Sequence, residues 1–210
     1  MDKDVFYVTN PRVKDLYLIP YIMESYGDNV KIFTSKSDLA KGFEASNPDL
    51  IICDRSTFLL TKNQIEKVNY NCFNIHPSLL PYNRGYHPNF WSFYDQTPSG
   101  VTIHCIDCEI DSGHIIAQTE VYIDDNETLR TSYEILRSLS ISLFKVVYPI
   151  INKGIDKNNL KINKKNIGKT NYKSDFNNIF DLLPNGWDTK VSYVRNLSNN
   201  FKFKRKKDFL

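Results

Sequence analysis

The first quarter of the chain alternates short apolar runs with stretches of helical period, and that alternation limits the fold more than any other feature. Val5 to Val8 reads as a strand, Leu16 to Tyr26 as a helix and Val30 to Phe33 as a strand. Lys36 to Ala45 then reads as a helix, and Leu50 to Cys53, after Pro48-Asp49, as a strand. Strands separated by helices pair in parallel, so the pattern predicts an α/β fold with a largely parallel sheet. Such sheets take ligands at the carboxyl ends of their strands. A helix is expected from about Leu129 to Tyr148, capped by Thr128 or Asn126, and Gly154 marks the end of this unit. After Gly154 the composition shifts to Asn and Lys, in Lys157-Asn158-Asn159 and Asn163 to Asn166; this first stretch reads as loop or short strands, and the rest of 155–210 as an appended substructure of the 1–154 unit. No internal repeat is visible.

The chemistry is concentrated between residues 72 and 118. Cys72, Phe73 and Ile75 alternate with Asn74 and His76, so both polar side chains point to one side near the end of a strand that Pro77 stops. A second strand, Val101 to Ile106, leads to the Asp-Ser-Gly turn at Asp111 to Gly113, which can deliver a carboxylate to the same sheet edge. An amide, an imidazole and a carboxylate without a Ser or Cys nucleophile suit an acyl transfer in which the substrate amine itself attacks. That reaction needs a base, a proton donor and groups that stabilise an oxyanion. Asn74 and protonated His76 are expected to donate to the oxygen, and Asp111 to hold His76 and relay the amine proton directly or through a water. One such donor is worth roughly 2.7 to 4 kcal/mol in measured oxyanion holes. A strand-end histidine satisfied by a neighbouring carboxylate explains any one of these residues as well. The coincidence of a His-Pro-Ser-Leu-Leu-Pro loop, an Arg84-Gly85 step and a distant Asp-x-Gly favours catalysis.

Over about residues 50 to 155 this pattern resembles the formyltransferase family that uses N10-formyltetrahydrofolate. The Asn-x-His-Pro-Ser-Leu-Leu-Pro run and the Asp-x-Gly turn are similar to that family's catalytic motifs in order and spacing. The resemblance implies a Rossmann-like α/β fold, formyl transfer, and catalytic roles for Asn74, His76 and Asp111. It also implies that the folate lies against Arg55, Ser56, Phe58, Leu59 and Leu60, with Gly85 permitting close approach and Cys108 and Ile110 on the facing loop.

Family members differ in what they formylate. Ribonucleotide transformylases carry a glycine-rich phosphate loop after the first strand, where this chain has Val8-Thr9-Asn10-Pro11-Arg12-Val13-Lys14. The tRNA enzymes add a C-terminal β-barrel of roughly a hundred residues, against which only 155–210 remain here. The Arg84-Gly85-x-x-Pro88-x-x-Trp91 run resembles the sugar-nucleotide subgroup, as does Asn185-Gly186-Trp187-Asp188 more loosely. The expected acceptor is therefore an amino sugar linked to a nucleoside diphosphate, used in building a glycan such as an O-antigen or capsule. Arg84, Tyr86, Asn89 and Trp91 are its candidate contacts, by phosphate pairing or stacking. Glycinamide ribonucleotide formylation and formyltetrahydrofolate hydrolysis are the rival reactions. A folate- or nucleotide-binding module without catalysis is the rival class, and it would have no need of an intact triad.

Composition sets bounds on partners. A net charge of +3 is too small to argue for nucleic acid, although Lys202 to Lys207 make a local basic run. The apolar stretch Leu139 to Ile151 is broken by Ser140, Ser142 and Lys145 and falls short of a membrane span. With no signal-peptide pattern at the start, a cytoplasmic location is expected. Cys53, Cys72, Cys105 and Cys108 are expected to be buried free thiols rather than metal ligands or disulfides, and no metal is expected. Ile179, Phe180, Leu182, Leu183 and Trp187, apolar in a polar stretch, suggest a homodimer contact.

Overall fold

A computed structural model describes residues 2–13, 15–156, 160, 161, 163 and 169–197. In chain order the elements begin β1 (Asp4–Thr9), α1 (Leu18–Tyr26), β2 (Asn29–Phe33), α2 (Lys36–Ala45), β3 (Leu50–Asp54), α3 (Lys62–Lys67) and β4 (Cys72–His76). Next come β5 (Arg84–Gly85), α4 (Pro88–Tyr94), β6 (Gly100–Cys105), β7 (Ile115–Glu120) and α5 (Leu129–Lys153). After Gly154 the chain adds β8 (Thr170–Asn171), α6 (Lys173–Phe180), a 3-10 turn (Gly186–Asp188) and a helix over 191–197, here α7.

The main sheet runs β2-β1-β3-β4-β6-β7. Strands β1 to β4 pair in parallel, whereas β4 to β6 and β6 to β7 pair antiparallel, which makes β6 the reversed strand. The expected largely parallel α/β sheet is thus present, with the expected strands and helices of the first 54 residues in place.

Both faces are covered, which is why β1 and β3 read as unbroken apolar runs. Val5, Tyr7, Ile52, Phe73, Ile75, Val101 and Ile103 pack with α1 and α5 in one core. Phe6, Val8, Ile51, Cys53 and Cys72 pack with Leu39, Phe43 and Ile65 in another. Period two therefore puts Asn74 and His76 on the α2/α3 side, and Thr102 and His104 join them from β6.

Thr128, not Asn126, caps α5, its Oγ1 accepting from the Thr131 amide at 3.1 Å. The helix runs past the expected end at Tyr148 with Pro149 inside it, because Tyr148 and Ile151 bury in the first core and hold the last turn. Beyond Gly154, β8 pairs with β5, and Asp175 accepts from the Tyr172 amide at 2.8 Å to start α6. Phe176, Leu183, Val191 and Val194 form a third core with Phe90, Trp91, Phe93 and Leu129. Ile179, Phe180 and Trp187, partly buried, pack against that core, Leu183 lies inside it, and Leu182 is 43% exposed. The basic run Lys202 to Lys207 lies outside the described residues. Among the described residues no helix is long and apolar enough to cross a membrane.

Candidate active site

A cleft opens at the carboxyl ends of β1, β3 and β4, where the strand order turns back on itself between β1 and β3. The cavity has a volume of about 470 Å³, within the range of small-ligand sites. Asn74, His76 and Asp111 all line it.

Asp111 reaches the site from a loop that has no freedom to go elsewhere. A Cβ on Gly113 would lie 1.9 Å from the Cys105 carbonyl oxygen, so only glycine lets the chain fold back across β6. Asp107 accepts from the Glu109 amide at 2.8 Å and from the Ser112 hydroxyl, and Asp111 itself adopts φ +48°. The Asn163 carboxamide donates to the Asp111 carbonyl at 2.8 Å. From there the Asp111 carboxylate accepts from the Gly85 amide at 2.8 Å and the Asn74 carboxamide at 3.1 Å, and lies 3.5 Å from His76 Nδ1. His76, on β4, donates its Nε2–H to the Asn83 carbonyl at 3.1 Å.

Burial acts to raise the Asp111 carboxyl, but His76, His104 and the Gly85 amide outweigh it and hold the group well below the ordinary carboxylate range. Burial pushes His76 below the ordinary histidine value, with Asp111 opposing and His104 adding to the shift. We take Asp111 as ionised, since two N–H donors point at it, and His76 as neutral in the free protein, since it is only 3% exposed. A neutral His76 with its proton on Nε2 turns the basic lone pair of Nδ1 toward the carboxylate and the cleft.

His104 is the residue that reading the sequence missed. It pairs with Asn74 across β4 and β6, its Nε2 lies 3.2 Å from the Asn74 carboxamide nitrogen, and Nδ1 donates to the Cys105 carbonyl at 2.7 Å. The signal was available, since His104 alternates with Val101, Ile103 and Cys105 and so shares a face with Asn74. His76, His104 and Asp111 bring ligand-type atoms within 4.8 Å of one another. The Asn74 nitrogen touches two of those three residues at hydrogen-bond distance, so the group is already joined by an amide.

Arg55, Ser56, Phe58, Leu59, Leu60, Gly85, Cys108 and Ile110 all line the cleft. Arg55 has φ +58° and its guanidinium is held by Asp15 at 2.7 Å and Asp54 at 3.3 Å, fixing the start of that wall. Leu59 is 62% exposed at the rim, and Cys108 is exposed while the other three cysteines are buried and none forms a disulfide. Cys108 departs from the expectation of burial because it sits on the Asp107–Asp111 loop beyond the end of β6. Gly85 has φ +90°, and its close approach is to Asn171, whose carbonyl oxygen would lie 2.2 Å from an added Cβ.

Tyr86 and Asn89 line the cleft, whereas Arg84 and Trp91 do not. Arg84 is 8% exposed, and α4 turns Trp91 inward onto Phe90 and Tyr94. Sequence reading also missed His87, Tyr172 and Lys173 on this wall. His87 contacts Tyr86, Phe176 and Trp187 with ring centroids 4.1 to 4.9 Å apart, and burial lowers it to about 4.

The sequence profile of the formyl transferase family matches residues 24–147. The chain belongs to this family. Among solved structures it is similar to the formyltransferase PseJ from Anoxybacillus kamchatkensis, with 33% identity and a TM-score of 0.79 over 91% of this chain and 97% of that one. PseJ was solved with UDP-4,6-dideoxy-4-formamido-L-AltNAc and tetrahydrofolate. A dTDP-4-amino-4,6-dideoxyglucose formyltransferase from Mycobacterium bovis is 42% identical over 72 residues, 34% of this chain and 31% of the relative. Methionyl-tRNA formyltransferase from Borrelia hermsii is 31% identical over 148 residues, 70% of this chain and 46% of the relative. The chain spans 34%, 46% and 56% of the first three curated relatives.

Proposed function

We propose that this protein transfers the formyl group of N10-formyltetrahydrofolate to the amino group of a nucleotide-linked amino sugar. The observation that carries the reading is the convergence of Asn74, His76 and Asp111 in one cleft of a formyl transferase fold. Likeness to PseJ over nearly the full length of both chains supports the choice of acceptor. The folate belongs on the wall of Arg55 to Leu60 and Cys108 to Ile110, and the sugar nucleotide on the wall of Tyr86, Asn89, Tyr172 and Lys173. The residues from 155 to 210 act as an appendage that supplies part of the acceptor wall.

The amine nitrogen attacks the formyl carbon, its proton passes to His76 Nδ1, and the imidazolium so formed pairs with the Asp111 carboxylate 3.5 Å away. Collapse of the tetrahedral intermediate breaks the bond from carbon to N10, and His76 returns its proton to that nitrogen. The products are a formamide and tetrahydrofolate. No step uses a metal. In a cell the reaction serves glycan assembly in the cytoplasm, with a homodimer as the working form. Incubating the protein with N10-formyltetrahydrofolate and NDP-linked 4-amino sugars, with chelator present, should yield the formamide by mass spectrometry. Release of formate without a formylated sugar would instead assign hydrolysis.

A further inference from the structure

Resting on that reading, we infer that Asn163 is a positioning residue: from the segment past Gly154, its carboxamide holds the main chain of Asp111 so that the carboxylate meets His76. Asp111 lies between β6 and β7 in a left-handed conformation, φ +48°, with neither a helix nor a strand ladder to fix it. Among the described residues its main chain has one hydrogen bond, which its carbonyl accepts from Asn163 Nδ2 at 2.8 Å. A carbonyl only accepts, so the carboxamide must present its nitrogen. Asn163 is 3% exposed, and its Oδ1 is buried without a partner. A buried polar atom left unpaired works against stability, so packing alone does not account for an asparagine here.

Asn163 is itself placed by pairing to the sheet. The Ile115 amide, at the start of β7, donates to the Lys161 carbonyl at 2.9 Å, and the two residues form an antiparallel bridge. The same segment reaches Asp111 a second way. Asn171 of β8 accepts from the Tyr86 amide at 2.8 Å and so holds β5, whose Gly85 amide donates to Asp111 Oδ2 at 2.8 Å. The main chain and the carboxylate of Asp111 are thus each held from beyond Gly154, one directly and one through β5. Freed at its carbonyl, the Asp107–Asp111 loop can turn the carboxylate off His76 Nδ1, now 3.5 Å away, where the reaction forms an imidazolium. A misplacement of about 1 Å is enough to slow such a step by about a hundredfold.

An NMR titration of nitrogen-labelled histidines tests the inference with no substrate present. His76 is faced by Asp111, by His104 with ring centroids 6.1 Å apart and by the Asn83 carbonyl, while burial pushes the Cys53 thiol on β3 up and keeps it neutral. The Asp111 charge favours the imidazolium, so in Asn163→Ala and Asn163→Leu His76 should titrate at lower pH than in the wild type. In kinetics both variants should lower kcat about tenfold to a hundredfold, with the KM values for N10-formyltetrahydrofolate and the NDP-linked amino sugar within about twofold. Asn163→Gln, which keeps an N–H donor, should fall between them and the wild type. An unchanged His76 midpoint in the folded Asn163→Ala and Asn163→Leu proteins, a loss expressed only in KM, or failure of both to fold would overturn the inference. A wild-type protein that formylates no amino sugar would instead overturn the proposed function, and the titration would still decide the role of Asn163.

Discussion

The two walls of the cleft are built by different means. The wall carrying Asn74, His76 and Asp111 is fixed by strand register and backbone hydrogen bonds, with Gly85 N–H, Asn83 C=O and Cys105 C=O each holding a catalytic or neighbouring side chain. The facing wall of Tyr86 and His87 is fixed by aromatic packing, in which Phe176 stacks on Trp187 at 5.5 Å and also meets Tyr86, His87 and Phe90. Backbone bonds fix the polar groups one by one, whereas ring packing supplies an apolar surface continuous with the third core. On the proposed function, the comparison teaches that the reacting groups and the acceptor wall are held by separate parts of the fold.

The largest effect should come from the wall held by the sheet. His76→Ala or Asp111→Asn should lower kcat by about a hundredfold to ten-thousandfold, with the far-ultraviolet spectrum unchanged. Near-native turnover in both variants would remove the division of labour. On the aromatic wall, Phe176 is 4% exposed, and Phe176→Ala should cost about 3 to 5 kcal/mol in chemical denaturation. It should raise the acceptor KM well above any change in the folate KM. An equal rise in both would mean that the walls do not act separately.

Gly85 joins the two walls, since its amide holds Asp111 and its Cα abuts Asn171. Gly85→Ala places a Cβ against that carbonyl at φ +90° and should cost about 1 to 3 kcal/mol while lowering kcat as well. Intact activity with only a stability loss would show that Asp111 does not depend on this bond.

The smallest effect is in pH dependence. Burial lowers His76 from the ordinary 6.5, and the base must be neutral, so kcat/KM should be lost as pH falls through an apparent value below 6.5. Stability moves the same way: the unfolded chain protonates His76 near its ordinary value before the folded one does, so stability declines as pH drops through that window. An acid limb centred above 7 would contradict a neutral buried His76.

The same difference between the walls explains what the sequence could tell. Period-two patterning placed Asn74 and His76 on one face, and Asp111 to Gly113 announced a turn, because strands and tight turns have local rules. His104 obeyed the same period, with Thr102, but its meaning depends on a partner on another strand. Tyr172, Lys173 and Phe176 were not legible as a wall, since their place rests on β5 to β8 pairing and on rings brought from far along the chain. Arg84 and Trp91 had plausible chemistry and motif positions, yet Arg84 is buried on β5 and α4 turns Trp91 into the third core.

The most direct measurement compares kcat/KM, with N10-formyltetrahydrofolate as donor, for an NDP-linked amino sugar, the same free amino sugar, glycinamide ribonucleotide and methionyl-tRNA. Binding energy from a nucleotide held away from the reacting amine should be used in the transition state, so removing the nucleotide should lower kcat/KM by about a hundredfold or more. Glycinamide ribonucleotide and methionyl-tRNA should remain essentially unformylated. If the free sugar reacts as well as its nucleotide form, or if either of the other two proves the best acceptor, the sugar-nucleotide assignment is contradicted.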